Sequence, residues 1–276
     1  MKSINCKGKL IDLNSPRVMG ILNLTPDSFY DGGKYRSEKD ILLQTEKMIT
    51  EGATFVDIGA YSSRPGAEHI SEEEELSRLI PVLELILKKF PELLISIDTF
   101  RSKVAKNTIE TGACMINDIS AGNLDDQMFE TIGKLQVPYI IMHMKGNPGN
   151  MQTNVDYNNL INDIIYYFSE KINKLRTLNI NDIIIDTGFG FSKTLDQNYE
   201  LLGNLNLFKN LNFPILTGVS RKSMLYKLLD ITPKEALNAT TIANTIALQQ
   251  GSNILRVHDV KEAMQTIKIL EKSNLI

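Results

Sequence analysis

The chain has no tryptophan, two cysteines and three histidines among its 276 residues. Cys6 and Cys114 show no C-x-x-C spacing, so they read as reduced structural thiols of a reducing compartment, not as a disulfide framework. Three widely separated histidines and no cysteine cluster argue against a zinc site caged by protein alone. Charge of either sign is not in excess: 30 Lys and Arg against 33 Asp and Glu leave a net −3. That balance argues against nucleic acid or an anionic membrane as a bulk partner. No apolar run approaches the roughly 20 residues of a membrane span. The opening MKSINCKGK has no apolar signal-peptide segment, which predicts a cytoplasmic protein. Several motifs are also missing. Gly188-Phe189-Gly190 has no third glycine at 193, so a dinucleotide fingerprint is not read there. The stretch Gly218–Ser223 has no glycine before Lys222, so it is not a Walker loop. Ser220 and Ser223 lack histidine and acid partners in a known triad order, which sets serine nucleophilic catalysis aside.

What is there is an apolar content of 42%, ample for one large core, and a regular alternation of segments. Residues 3–13 read as a hairpin with Lys7-Gly8 at its turn. Eight short apolar runs follow: Val18–Leu22, Phe55–Ile58, Leu93–Ile97, Cys114–Asn117, Tyr139–Met142, Ile183–Ile185, Ile215–Leu216 and Ile254–Val257. Amphipathic stretches lie between them, at roughly 38–51, 71–90, 102–111, 126–136, 157–178, 197–210, 222–229 with 234–250, and 259–272. Strand, helix and short connection repeated eight times predict a single (β/α)8 barrel over residues 1–276, with 1–14 as an N-terminal β-hairpin addition. An open doubly wound sheet is the runner-up. Ser71 and Glu74 read as a capping box, the acid run Glu72–Glu75 as a solvated helix start, and Pro81 as a kink or break.

Barrel enzymes carry their chemistry at the C-terminal ends of the strands. Here those positions hold Asn23, Gly59, Asp98, Asn117 with Asp118, His143, Asp186, Gly218 followed by Ser220-Arg221-Lys222-Ser223, and Arg256 with His258. Asp98, Asn117, Asp186 and Lys222 form a donor–acceptor set suited to a flat heterocycle, since a carboxylate can accept two parallel N–H bonds from a guanidine-like edge. Asn23, Ser63, Arg64, Arg256 and His258 suit phosphate and Mg2+. Together they predict a substrate with a heterocycle at one end and a phosphate at the other.

The string MGILNLTPDSFYDGG at 19–33 closely resembles the first signature of the dihydropteroate synthases. SSRPGA at 62–67, ISIDTF at 95–100, INDISA at 116–121, MHMKGNPGNMQ at 142–152, DTGFGFSK at 186–193, GVSRKSM at 218–224 and RVHDV at 256–260 resemble the remaining signatures, in family order. The resemblance implies a (β/α)8 barrel that joins 4-aminobenzoate to 6-hydroxymethyl-7,8-dihydropterin pyrophosphate, with Mg2+ as cofactor. It implies a homodimer packed through the late helices. It places the pterin on Asp98, Asn117, Asp186 and Lys222, with Met142, Phe191 and Gly218 around the ring and Arg256 stacked on it. It places Mg2+ on Asn23, and pyrophosphate on Asn23, Ser63, Arg64, Arg256 and His258. Phe29, Asp31, Pro65 and Ser223 fall to the aminobenzoate. Asp98, Asp186, Lys222, Asn23 and Arg256 would carry the reaction, an SN1-like loss of pyrophosphate. The loops Thr25–Tyr35 and Ser62–Ile70 are read as lids, so aminobenzoate, and the sulfonamides that mimic it, should bind after pyrophosphate. One departure stands out: members of the family carry Gly-Glu-Ser-Thr before Arg-Pro, and this chain has Ala60-Tyr61-Ser62-Ser63. The alternatives are a pterin-binding methyltransferase-type barrel and a non-catalytic pterin-binding protein.

Overall fold

The computed structural model describes residues 2–24, 38–62 and 69–276. Strands β1 (Ser3–Cys6) and β2 (Lys9–Asp12) form the hairpin, turning through Lys7 and Gly8 at φ +55° and +81°. Positive φ at two successive residues matches the right-handed twist of paired strands, and glycine takes it without strain.

Strands β3 (Arg17–Asn23), β4 (Phe55–Gly59), β5 (Leu94–Asp98), β6 (Met115–Asp118), β7 (Tyr139–Met142), β8 (Ile183–Asp186), β9 (Ile215–Thr217) and β10 (Ile254–Val257) are all parallel. β10 pairs with β3 and closes the barrel. The open-sheet alternative is thereby excluded. Outside the barrel lie α1 (Glu38–Glu51), α2 (Glu72–Lys89), α3 (Ser102–Thr111), α4 (Met128–Leu135), α5 (Leu160–Thr177), α6 (Leu195–Gly203), α7 (Ser223–Leu228), α8 (Leu237–Gln249) and α9 (Val260–Lys272). Among the described residues no helix is long and apolar enough to cross a membrane.

The two faces of each strand go to different cores. Outward residues such as Val56, Ile58, Ile95, Ile97, Ile116, Ile183 and Ile185 pack against the helices. Inward residues Met19, Phe55, Leu94, Met115, Ile140, Ile184, Leu216 and Ile254 form the barrel floor. The hairpin's Ile4, Cys6, Ile11 and Leu13 belong to the same cluster and seal that floor from below. Because side chains alternate, the next inward position on each strand lies two residues further on. That step gives Ile21 on β3 and Met142 on β7, and Asp57, Ser96, Asn117, Asp186, Gly218 and Arg256 on the other six strands. A polar layer therefore sits directly on an apolar one.

Four local readings need correction. Helix α2 runs unbroken through Pro81, because Pro81 and Ser77, whose carbonyl loses its partner, both lie on the exposed face. The capping box is only half formed: Ser71 Oγ accepts from the Glu74 amide at 3.1 Å, but Glu74 turns to Arg78 at 2.9 Å. Glu75 is not solvated. It lies on the inward row with Leu79, Leu83 and Ile86 and is fully buried against Arg101, 2.5 Å away. The stretch read as one helix over 197–210 is two elements: α6, capped by Thr194 and Gln197, and a 3-10 segment, Leu205–Leu211.

Candidate active site

Arg256, at the end of β10, organises the mouth of the barrel. Its Nε donates to Asp57 Oδ2 at 2.7 Å, and a terminal nitrogen donates to Asp98 Oδ2 at 2.9 Å. Asn117 donates its side-chain N–H to the same Asp57 oxygen at 3.0 Å. Asp57 is completely buried and its Oδ1 has no hydrogen-bond partner among the described residues. Burial raises the Asp98 carboxyl pKa to about 7, with Arg256 opposing the rise and Asp57 adding to it. Burial would lower the pKa of Arg256, but Asp57 and Asp98 outweigh it and hold the guanidinium charged.

Asp186 ends β8 beside Met142 of β7. Its Oδ1 accepts from the Gly188 amide at 2.8 Å. Burial raises its pKa as well, opposed chiefly by Lys222. Lys222 is the N-cap of α7. Its ammonium reaches the Phe189 carbonyl and lies 4.4 Å from the centre of the Phe191 ring. Burial lowers its pKa to about 8, with Asp186 holding it up. Gly190 suits this approach: its φ of +80° favours glycine, and a Cβ there would sit 3.2 Å from the Lys222 side chain. Met142 lies in an apolar cluster with Phe100, Ile119, Met144 and Met151, and Phe191 packs against it. Gly218 leaves space, since a Cβ there would touch nothing closer than Arg256 at 3.9 Å.

The structure thus gathers Asp98, Asn117, Asp186, Lys222 and Arg256 around one opening, with Met142 and Phe191 as apolar surface. Asn23 is half-buried at the end of β3, in register with Gly59. Ser223 is the first residue of α7 and is half-buried. His258 is exposed, and its Nδ1 is 3.0 Å from Ser220 Oγ. The neighbouring Asp259 is held by Arg221 at 2.9 Å. Phe29, Asp31, Ser63, Arg64 and Pro65, and with them most of both proposed lids, lie outside the described residues.

Two rim residues do not belong to the opening. Asp118 points outward from β6, fully buried, and accepts from Tyr139, Ser120 and Gly122 at 2.5–2.8 Å. His143 is buried beside Lys193, with Nδ1 3.1 Å from its ammonium. Asp57 is the residue that sequence reasoning missed. The signal was an acid inside an apolar strand, flanked by outward Val56 and Ile58. Tyr61, in the unusual position, donates or accepts at 3.2 Å from His69 Nδ1 and packs edge-on against Phe100 at 5.0 Å. Arg101 lies over its ring and also donates to the Ile70 carbonyl at 2.6 Å.

Residues 19–258 match the family model described as pterin binding enzyme. Over 267 residues the chain is 42% identical to the dihydropteroate synthase of Escherichia coli strain K12, an alignment that covers 96% of this chain and 94% of that protein. The chain belongs to the dihydropteroate synthase family. Solved dihydropteroate synthases share its fold closely. The Yersinia pestis enzyme, in complex with a sulfonamide drug, superposes with a TM-score of 0.93 at 39% identity, covering 99% of this chain and 100% of that one. The Xanthomonas albilineans dihydropteroate synthase with 4-aminobenzoic acid gives a TM-score of 0.91 at 33% identity, covering 99% of this chain and 98% of that one.

Proposed function

We propose that the chain, as a single pterin-binding barrel domain, condenses 6-hydroxymethyl-7,8-dihydropterin pyrophosphate with 4-aminobenzoate, releasing pyrophosphate and forming 7,8-dihydropteroate. The observation that carries this reading is the set of buried Asn117 and Asp186 with half-buried Asp98, Lys222 and Arg256 in one barrel mouth of this family. Asp186 has one oxygen held by Gly188 and a second available to the N–H groups of the pterin edge. Asn117 donates to Asp57 and keeps its amide oxygen for a donor. Lys222 can donate to a ring carbonyl. Met142, Phe191 and Gly218 bound the ring, and Arg256 stacks on it.

Loss of pyrophosphate leaves a methylene cation delocalised into the pterin. Carboxylates at Asp98 and Asp186, shielded from water, stabilise that cation. The aminobenzoate amine is uncharged at neutral pH and attacks without a strong base. Arg256 and His258, together with Asn23, Ser63 and Arg64, take the leaving pyrophosphate. Phe29, Asp31, Pro65 and Ser223 take the aminobenzoate.

A divalent cation, read as Mg2+, fits this donor set only in part. Among the described residues no group of three or more His, Cys, Asp or Glu could hold a metal. Asn23 would supply one amide oxygen, and phosphate oxygens and water would supply the rest. When bound, the cation adds positive charge to the leaving group. Mg2+ titrated calorimetrically into the ligand-free protein should therefore bind weakly, and far more tightly once pyrophosphate is present. Tight binding to the bare protein contradicts this assignment.

The pH dependence follows from two groups. Asp98 must be ionised to support the cation, and its pKa is about 7, so kcat/KM for the pterin substrate should rise through that value. Lys222 must be protonated to donate, and its pKa is about 8, so the rate should fall above it. Asp98→Asn should lose the acid limb and Lys222→Met the alkaline one. A profile flat from pH 6 to 9 overturns both roles.

The chain is further proposed to be cytoplasmic and to form a homodimer through its late helices. Leu228, Leu229, Ile242 and Ile246, exposed on and beside α7 and α8, support the second point. The deciding experiment mixes purified protein with the dihydropterin pyrophosphate, 4-aminobenzoate and Mg2+, and looks for dihydropteroate. Binding of both substrates without product would instead favour a non-catalytic pterin-binding protein.

A further inference from the structure

Lys193 is almost completely buried, two residues before α6, and no step of the reaction above uses it. Its ammonium nitrogen donates to the carbonyls of Gly188 at 2.9 Å and Phe191 at 3.0 Å, and lies 3.1 Å from His143 Nδ1. None of these partners is a carboxylate. His143 is held neutral, its pKa pushed well down by burial and then by Lys193 and Lys145. Burial is costly for a lysine, and it lowers the Lys193 pKa to about 7 even with Asp186 nearby. A hydrophobic side chain would fill the same space at no such cost.

The two carbonyls are not arbitrary. Gly188 fixes Asp186 through its amide at 2.8 Å, and Phe191 presents its ring 4.4 Å from Lys222. The loop between them has no slack on its inner side. Gly188 stands at φ +73°, and a Cβ there would lie 2.1 Å from the His143 carbonyl oxygen. One ammonium therefore ties both ends of the β8–α6 loop to the end of β7. We propose that Lys193 is a positioning residue for the heterocycle subsite, setting the Asp186 carboxylate and the Phe191 ring at the spacing that one flat ring system fits. The proposal rests on the reading of Asp186 and Lys222 as the pterin contacts.

The test is Lys193→Met, which keeps the volume and removes the donors. Its KM for the pterin substrate should rise more than tenfold. Its kcat should change less than threefold, and KM for 4-aminobenzoate less than twofold. Lys193→Gln, which retains a donor head, should recover part of the pterin KM and serves alone if the Met variant does not fold. A purely structural lysine predicts the opposite split: fewer active molecules, hence lower kcat with both KM values unchanged. That result overturns the proposal, as does failure of both variants to fold. Asp186→Asn measured in parallel separates the two levels. If it leaves pterin KM unchanged, the reading of the subsite falls. If it raises pterin KM and Lys193→Met does not, only the role of Lys193 falls.

Discussion

Arg256→Met should be the most damaging single substitution in the barrel mouth. It removes the cation that bridges Asp57 and Asp98 at 2.7 and 2.9 Å and leaves two carboxyl groups in the polar layer without it. Breaking a buried pair from one side costs roughly 3–5 kcal/mol, because the abandoned charge stays out of water. The loss should depend on pH with a definite sign. Asp98 already has a folded pKa of about 7, far above its value in an unfolded chain, so ionising it opposes folding as pH rises. Without Arg256 the folded pKa moves higher still. The deficit should therefore be largest near pH 8 and shrink toward pH 5, where Asp98 is protonated in the fold. Urea denaturation at the two pH values measures this, and an equal deficit at both contradicts it. Adding Asp98→Asn to the variant should restore part of the stability but none of the activity.

Asp186→Asn should spare the fold and abolish most of the pterin affinity. Asparagine can keep its oxygen toward the Gly188 amide, now accepted by Asp186 Oδ1 at 2.8 Å. The other branch then becomes an NH2, a donor facing the donors of the heterocycle. A buried polar mismatch with loss of a charged acceptor costs about 2–4 kcal/mol, or roughly 30- to 900-fold in affinity. Lys222 loses the anion that holds its pKa up at about 8, so the alkaline limb of the rate profile should shift to lower pH as well. Calorimetric titration with the pterin substrate gives the first quantity and the pH–rate profile the second. Unchanged affinity would remove Asp186 from the pterin edge.

Much of this protein was legible without coordinates. Eight apolar runs too short for helices, separated by amphipathic stretches, leave few architectures that bury every strand on both faces, and the barrel is the one observed. The strand ends fell within about one residue of the observed ones because β-branched and apolar runs stop where polar rim residues start. The long signature strings also sufficed for the family. Inward and outward are another matter. Asp98 and Asn117 pair in register across β5 and β6, while Asp118, one residue later, faces the helices. A period of two says which residues share a face, but closure of the barrel decides which face is the inside. The same holds for charge. In the sequence Asp57 passes unnoticed inside the run Phe55–Ile58, and Glu75 reads as part of a solvated helix start. Each is buried because an arginine far away in the chain, Arg256 or Arg101, arrives to meet it. Pro81 reads as a break in one dimension and is harmless in three, since the carbonyl it leaves unpaired faces water. The sequence by itself determined the order of elements and the kinds of chemistry at the rim. Only tertiary structure decided which acids share a cation and which two lysines, Lys193 and Lys222, reach the carbonyls of the β8–α6 loop, because most of those pairings join strands and loops distant in the chain.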